Sequence, residues 1–109
     1  MLVRLLFLAL FALAATHPAW AEDPPEVAVT HFGDRFEPAE IAVPAGVKVA
    51  LKVTNRSAGP IEWESLDLHR EKVIPAGTTA TIYIGPLRPG SYEYFDDFHP
   101  KIRGHVVAR

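Results

Sequence analysis

The sequence predicts an all-β protein, an antiparallel β-sandwich or Greek-key barrel of about seven short strands. Apolar and polar residues alternate over several runs of strand length, which is the pattern of strands with one buried face. Proline and glycine separate these runs at strand-length intervals, as turns between short strands require. Because no long helical repeat competes with this pattern, we expect a single class of secondary structure.

The first half of the predicted domain contains three strands. VAVTH at 27–31 alternates weakly, FGDRFEP then turns the chain, and EIAVPAG at 40–46 ends in a Pro-Ala-Gly turn. VKVALKVTN at 47–55 has the clearest period of two, which predicts a half-buried strand. Its apolar face holds Val47, Val49, Leu51 and Val53. Lys48 and Lys52 lie on the opposite face.

Three further strands lie in the second half of the chain. TTATIYIGP at 78–86 repeats the alternation, RPGSYEYF at 88–95 follows a Pro-Gly turn, and GHVVAR at 104–109 closes the chain. The segment LDLHREK at 66–72 does not alternate. We expect it to form an irregular crossover with at most one helical turn.

The first 21 residues have the features of a secretory signal peptide. Arg4 precedes an apolar run from Leu5 to Ala15, and an Ala-x-Ala cleavage site ends at Ala21. The apolar run is too short for a stable membrane span. We therefore expect export to the periplasm, no membrane span after cleavage, a loose N-terminus at 22–26 and one domain at 27–109.

Composition excludes several classes of function. The formal net charge is −2, so no strongly basic surface indicates nucleic-acid binding. The chain contains no cysteine, which excludes disulfides, thiol nucleophiles, thiolate zinc sites and the cysteine ligand of a blue-copper centre. A domain of this size without disulfides must be stabilised by packing and by any ion that it binds.

Several motifs resemble a known family. F-x-P-x-x-I-x-V-x-A-G at 36–46, V-x-N at 53–55 and P-G-x-Y at 89–92 occur in the order typical of the cupredoxin fold. The segment E-W-E-S-x-D-L-x-R-E-K at 62–72 is similar to the cupredoxin-like domains of periplasmic iron-uptake systems. These are the N-terminal domain of EfeO-type proteins and the free-standing cupredoxin of Ftr-type operons. The resemblance implies a cupredoxin-like Greek-key β-sandwich.

The same resemblance implies where a metal site would lie. In blue-copper cupredoxins the last long loop carries Cys-x-x-His, and GSYEYFDDFHP aligned on that pattern puts Asp96 at the cysteine and His99 at the histidine. The first histidine of the blue-copper set falls near Glu62. No methionine follows His99, since Met1 is the only one in the chain. The resemblance therefore implies the position of the site with oxygen donors in place of sulfur.

Two acidic segments supply the candidate ligands. Glu62 and Glu64 project from one face of an extended segment, because side chains two residues apart point the same way. Asp96 and Asp97 are neighbours and cannot easily aim at the same ion from a strand, so Asp97, on the loop side, is the preferred ligand of the two. Carboxylates with one imidazole suit Cu(II), iron or Mn(II). The complete predicted ligand set is Glu62, Glu64, Glu71, Asp96, Asp97 and His99.

Each of these residues also has a simpler interpretation. The acidic residues could be solvated loop and strand positions, and Asp67 and Glu71 could pair with neighbouring arginine or lysine. The remaining histidines, His31, His69 and His105, fit surface or strand positions better than a metal site. Trp63, Phe95 and Phe98 fit the core or the wall of the site.

The resemblance implies a periplasmic copper- and/or iron-binding protein that takes part in ferrous-iron uptake. It would assist the oxidation of Fe(II), as a copper-dependent ferroxidase component, before transfer to a membrane permease. Two alternatives remain open at this point. One is a copper or iron carrier without redox catalysis, and the other is a metal-free β-sandwich interaction module. The expected partners are metal ions and other components of a membrane iron-uptake system, with no nucleic acid.

Overall fold

The computed structural model describes residues 23–109, so the predicted signal peptide at 1–21 lies outside the described residues. The prediction of an all-β sandwich is confirmed: this part of the chain forms nine strands and no helix. The strands are β1 (Glu26–His31), β2 (Phe36–Glu37), β3 (Glu40–Val43), β4 (Val49–Asn55), β5 (Ile61–Ser65), β6 (Arg70–Ile74), β7 (Thr79–Ile84), β8 (Gly90–Asp96) and β9 (His99–Ala108).

The strands form two sheets, and the sheets are not purely antiparallel. One sheet has the order β2-β1-β4-β7 and the other the order β3-β9-β8-β5-β6. Most pairings are antiparallel, as predicted, but β1 pairs with β4 and β3 pairs with β9 in parallel. Parallel neighbours need a crossover rather than a hairpin. The chain supplies one by passing into the second sheet at β3 between β1 and β4.

Two strands were not predicted. β2 is only two residues long and lies in the predicted FGDRFEP turn. β6 begins within the segment at 66–72 that we expected to be an irregular crossover, takes up its residues 70–72 and continues to Ile74. Its first four residues are exposed and only Ile74 is buried. β6 lacks alternation because it is an edge strand whose two faces are both largely in contact with water.

The core lies between the two sheets and follows the predicted alternation. Val49, Leu51 and Val53 are buried, as the pattern of β4 predicts, but Val47 precedes the strand and is 43% exposed. Trp63 and Tyr94 are the largest fully buried side chains, and their ring centroids lie 5.3 Å apart. Further buried core residues are Val29, Phe36, Ile41, Val43, Ile61, Ile74, Ile84 and Val106.

Gly104 on β9 is dictated by the core. A Cβ at this position would overlap the Cζ and the hydroxyl oxygen of Tyr94. Glycine therefore permits β9 to pass across the face of the buried tyrosine, which is a known reason for glycine within a strand.

The last residue of the predicted loose segment at 22–26 is the first residue of β1. Glu26 belongs to β1 and pairs with Ala50, and the Pro25 carbonyl accepts a hydrogen bond from the Ala50 amide at 2.9 Å. None of the secondary structure described over residues 23–109 is a helix that could cross a bilayer.

Candidate metal centre

The DDFH segment forms the tight turn between β8 and β9, and it sends its two aspartates in different directions. Asp96 continues the inward face of β8 and lies opposite Trp63 of β5, fully buried. Asp97 is in the turn and exposed. A register shift follows Phe95, after which Asp96 pairs with His99. Such a bulge bends the strand and redirects side chains, and here it separates the environments of adjacent carboxylates.

Three carboxylates meet on the outer face of the five-stranded sheet. Glu62 and Glu64 project outward from β5, each half-buried, while Ile61, Trp63 and Ser65 between and beside them point into the core. The Asp97 amide donates to the Glu62 carbonyl at 2.8 Å, which brings the turn against the strand. One carboxylate oxygen from each of Glu62, Glu64 and Asp97 lies within 4.8 Å of the others. We call these three residues the outer carboxylate group.

The outer carboxylate group carries uncompensated negative charge. Loss of hydration is the main cause that raises the pKa of Glu62, and the nearby charges of Asp97 and Glu71 raise it further. The pKa of Glu64 is raised first by loss of hydration and then by Asp97 and Glu62. Within residues 23–109, none of the three carboxylates forms a salt bridge with a lysine, arginine or histidine. A cation would relieve this repulsion.

Glu71 stands beside the group rather than in it. It lies directly opposite Glu64 in the pairing of β5 with β6. At this position it adds to the negative potential that raises the pKa of both glutamates. The structure does not bring its carboxylate within the 4.8 Å that joins Glu62, Glu64 and Asp97.

Asp96 is the centre of a second cluster inside the sandwich. Its Oδ1 accepts the backbone N–H groups of Glu62 at 3.1 Å and Phe98 at 3.0 Å. Its Oδ2 lies 3.1 Å from His31 Nε2 and 3.0 Å from His99 Nδ1. We call Asp96, His31 and His99 the inner network. Each oxygen of this buried carboxylate therefore has two hydrogen-bond partners, as a buried charge requires.

The sequence analysis gave His31 a surface or strand position, and it does lie on β1, but its burial in the inner network was not predicted. Both of its ring nitrogens are in use, because the Gly33 amide donates to Nδ1 at 3.0 Å and Nε2 faces Asp96. An Nδ1 that accepts a hydrogen bond carries no proton, so Nε2–H is the donor to Asp96. Burial lowers the pKa of His31, against the opposing influence of Asp96. The alternation of Val27, Val29 and His31 along β1 could have indicated that His31 points toward the core.

His99 belongs to the inner network and not to the outer carboxylate group. Nδ1 of its ring contacts Asp96, while 63% of its side chain is exposed. It borders an open groove lined by His31, Gly33 and the loop at 57–60. The structure thus divides the predicted ligand set into two clusters joined only through the turn and the backbone of Glu62.

The other candidate residues have structural contacts. Asp67 accepts the Glu93 amide at 2.9 Å and does not pair with an arginine or lysine among the described residues, while Arg103 pairs with the Glu93 carboxylate. Trp63 is buried in the core behind the outer carboxylate group, whereas Phe98 is 47% exposed and lies outside the core. Phe95 faces outward beneath Arg103, whose guanidinium carbon lies 5.2 Å from the centroid of the Phe95 ring.

The model of the cupredoxin-like domain family matches residues 3–108. The chain belongs to the cupredoxin-like domain family. An uncharacterized protein of Rickettsia prowazekii (strain Madrid E) is 40% identical over 74 residues, which are 68% of this chain and 59% of that protein. The chain thus spans about three-fifths of the length of this curated relative.

Solved structures with the same fold include copper proteins. Auracyanin A, a "blue" copper protein of Chloroflexus aurantiacus, has a TM-score of 0.67 at 16% identity, covering 80% of this chain and all of auracyanin A. Amicyanin of Paracoccus versutus has a TM-score of 0.61 at 22% identity over 82% of this chain and 84% of its own. A purple cupredoxin of Nitrosopumilus maritimus has a TM-score of 0.61 at 18% identity, covering 76% of this chain and 99% of that protein. At these identities the likeness is one of fold.

The two clusters of this cupredoxin-like protein differ in their fitness for a metal ion. In the inner network both oxygens of Asp96 and both ring nitrogens of His31 are hydrogen-bonded. These buried atoms therefore have no lone pair left to bind a metal ion. The outer carboxylate group instead offers three oxygen donors without cationic partners. Oxygen donors of this kind suit iron, Mn(II) and Cu(II), whereas Cu(I) prefers sulfur.

Proposed function

We propose that this cupredoxin-like protein binds a copper or iron ion through Glu62, Glu64 and Asp97. The observation that carries the proposal is the convergence of three carboxylate oxygens within 4.8 Å, with raised glutamate pKa values and no compensating cation among residues 23–109. Two rigid elements hold the donors. β5 presents the two glutamates from one face of a sheet, and the β8–β9 turn presents Asp97.

We further propose that the protein takes part in ferrous-iron uptake in the periplasm, after export by the signal peptide at 1–21. The support is the resemblance of the segment at 62–72 to cupredoxin-like domains of iron-uptake systems, since this segment carries two of the three donors. In this function Fe(II) is the substrate and a membrane permease receives the iron. Copper, which the resemblance also implies, would accept the electron that Fe(II) loses, and dioxygen would reoxidise the reduced copper.

The chain's own contribution to such an oxidation is electrostatic. Each anionic oxygen stabilises Fe(III) more than Fe(II), because the energy of a charge pair scales with the ion's charge. Glu62, Glu64 and Asp97 would therefore favour the oxidised ion. Trp63 and the core behind the sheet keep water from the inner side of the group, which strengthens this effect.

A carrier without redox catalysis is the second candidate function. It is favoured by the position of the outer carboxylate group at the surface, where Asp97 is exposed and an ion can leave toward a partner. Oxygen consumption after addition of Fe(II) to copper-loaded protein separates the two functions. Catalysed consumption supports the ferroxidase component, and metal binding without it supports the carrier.

The test of metal binding is thermal and chemical unfolding of residues 22–109 with Cu(II) or with Fe(II) under anaerobic conditions at pH 7. Free ion at a hundred times the dissociation constant should add about 2.7 kcal/mol to the free energy of unfolding. Glu64→Gln should lose most of this gain. Glu93→Gln is the matched control, because Glu93 lies on the same sheet but pairs with Arg103.

Equal stabilisation of the Glu64→Gln and Glu93→Gln proteins would place the ion elsewhere. No stabilisation of the unmodified protein by either ion would favour the metal-free interaction module.

A further inference from the structure

Asp96 contacts the backbone of both elements that carry the outer carboxylate group. Its Oδ1 accepts the Glu62 amide of β5 at 3.1 Å and the Phe98 amide of the turn at 3.0 Å. Asp97 lies in the turn between Asp96 and Phe98, and its amide donates to the Glu62 carbonyl at 2.8 Å. One buried oxygen and one backbone hydrogen bond thus fasten the turn to the strand.

The opposite side of Asp96 is fixed just as firmly. Oδ2 accepts from His31 Nε2, and His31 is itself held by the Gly33 amide at its other ring nitrogen. His31 is 1% exposed and packs edge-on against Phe36 at a centroid distance of 4.9 Å. Asp96 therefore cannot rotate toward solvent without leaving the Nε2–H of a buried histidine unpaired, which is unfavourable in a protein interior.

We propose that Asp96 is the positioning residue of the outer carboxylate group: it binds no ion itself and holds β5 and the β8–β9 turn at the separation at which Glu62, Glu64 and Asp97 share one ion. This inference rests on the proposed metal binding. The like charges of the group repel one another, so the metal-free turn would move away from β5 if the Oδ1 contacts were removed. Residues that orient ligands from behind typically contribute about 10–100-fold to metal affinity.

Two substitutions separate positioning from charge. Asp96→Ala removes both oxygens and should weaken binding at least about tenfold. Asp96→Asn removes the negative charge and turns an NH2 group toward the Nε2–H of His31, but its carbonyl oxygen can still accept the amides of Glu62 and Phe98. If Asp96 acts by position, Asp96→Asn should retain most of the affinity that Asp96→Ala loses. If both variants lose the same affinity, the charge of Asp96 acts on the ion and the positioning role is overturned.

Ser65→Ala is the control for a general loss of stability. Ser65 lies at the far end of the same strand, is 1% exposed, donates to the Glu93 carbonyl at 2.6 Å and accepts from the Leu68 amide at 3.1 Å. Its removal breaks buried hydrogen bonds of β5 without touching the contacts of Asp96. We expect a lower melting temperature and unchanged affinity.

Terbium(III) is a suitable probe because it is a hard trivalent ion that prefers oxygen donors and luminesces when a nearby tryptophan is excited. Trp63 lies between the two glutamates in β5. Titration gives the affinity, and luminescence lifetimes in light and heavy water give the number of bound water molecules. In Asp96→Ala a lost carboxylate should be replaced by water, so that number should rise. Ser65→Ala should not change it.

Amide hydrogen exchange of the unmodified protein provides a test that does not depend on the folding of any variant. The amides of Glu62 and Phe98 should be protected in the metal-free protein, because Asp96 holds them before an ion arrives. Exchange of both amides at the rate of exposed amides would overturn the inference even if Asp96→Ala failed to fold.

The outcomes distinguish this inference from the proposed function. If terbium binds and Glu64→Gln leaves binding unchanged, the outer carboxylate group is not the site, and both proposals fall. If Glu64→Gln weakens binding but folded Asp96→Ala binds with unchanged affinity and unchanged water number, only the positioning role falls.

Discussion

Asp96 and Asp97 are chemically identical neighbours with opposite environments. Asp96 is buried and its two oxygens face four N–H groups, two from the backbone and two from imidazole rings. Asp97 is exposed and faces the carboxylates of Glu62 and Glu64. The inner network is thus rich in donors, whereas the outer carboxylate group has an excess of acceptors.

This difference shows how one short turn can hold a buried structural anchor next to the exposed carboxylate that we propose as a metal ligand. A carboxylate surrounded by donors is a structural anchor, because its charge is fully solvated by the protein. A carboxylate surrounded by other carboxylates weakens the metal-free fold and gains most when a cation arrives. The bulge after Phe95 makes the division possible by ending the regular pairing of β8 with β9 where the two aspartates diverge.

The largest difference in stability should appear when the two aspartates are truncated in separate variants. Asp96→Ala leaves a buried histidine donor and two backbone amides without their acceptor, and we expect a loss of about 3–5 kcal/mol in the free energy of unfolding. Asp97→Ala removes an exposed side chain from a group of like charges, so the metal-free protein should be unchanged or slightly more stable. Urea denaturation at pH 7 with a chelator measures both. Comparable losses in the two variants would contradict the division into anchor and ligand.

The sequence predicted the fold class and the shared face of two residues of the outer carboxylate group. Alternation along β4, β7 and β8 predicted their buried faces, and the two-residue spacing of Glu62 and Glu64 predicted that they share a face. It also favoured Asp97 over Asp96 as the residue on the loop side. These features depend on local geometry, which a pattern of residues describes directly.

The features that the sequence did not reveal depend on contacts between distant segments. His31 and Asp96 are 65 residues apart and meet only because β1 and β8 lie in facing sheets. The parallel pairing of β3 with β9 and the edge position of β6 likewise follow from the order of strands in the sheets. No periodicity within β6 could indicate that both of its faces would be exposed.

A smaller effect is expected at His99, which takes part in the inner network from its exposed side. His99→Ala removes one of the two imidazole contacts of Asp96, and water can replace it because the ring is largely exposed. We expect a loss of about 1 kcal/mol in the free energy of unfolding, well below that of Asp96→Ala. His105→Ala is a suitable control, since His105 is a similarly exposed histidine of the same strand. A loss as large as that of Asp96→Ala would mean that water does not take the place of the ring.

The smallest effect concerns pH, and here the two clusters should act with opposite signs. The pKa values of Glu62 and Glu64 are raised in the folded protein, so the folded state binds these protons more tightly than the unfolded state. Their contribution to stability is present at low pH and is lost as pH rises from about 4.5 through the raised values. The lowered pKa of His31 acts in reverse, because its contribution is present above about 6.5 and is lost as pH falls.

Glutamate and histidine side chains titrate between roughly pH 4 and pH 8. Melting curves of the metal-free protein over this range can separate the two contributions. The double variant Glu62→Gln, Glu64→Gln should melt higher than the unmodified protein at pH 7, and the difference should vanish toward pH 4.5, the ordinary glutamate value. A matched double variant, Glu26→Gln with Glu37→Gln, removes two carboxylates that have cationic partners, Lys52 and Arg35, and should show no such gain. If the first double variant followed the unmodified protein at every pH, the repulsion within the outer carboxylate group would be too weak to favour a cation. The attraction of the group for metal would then have to come from geometry alone.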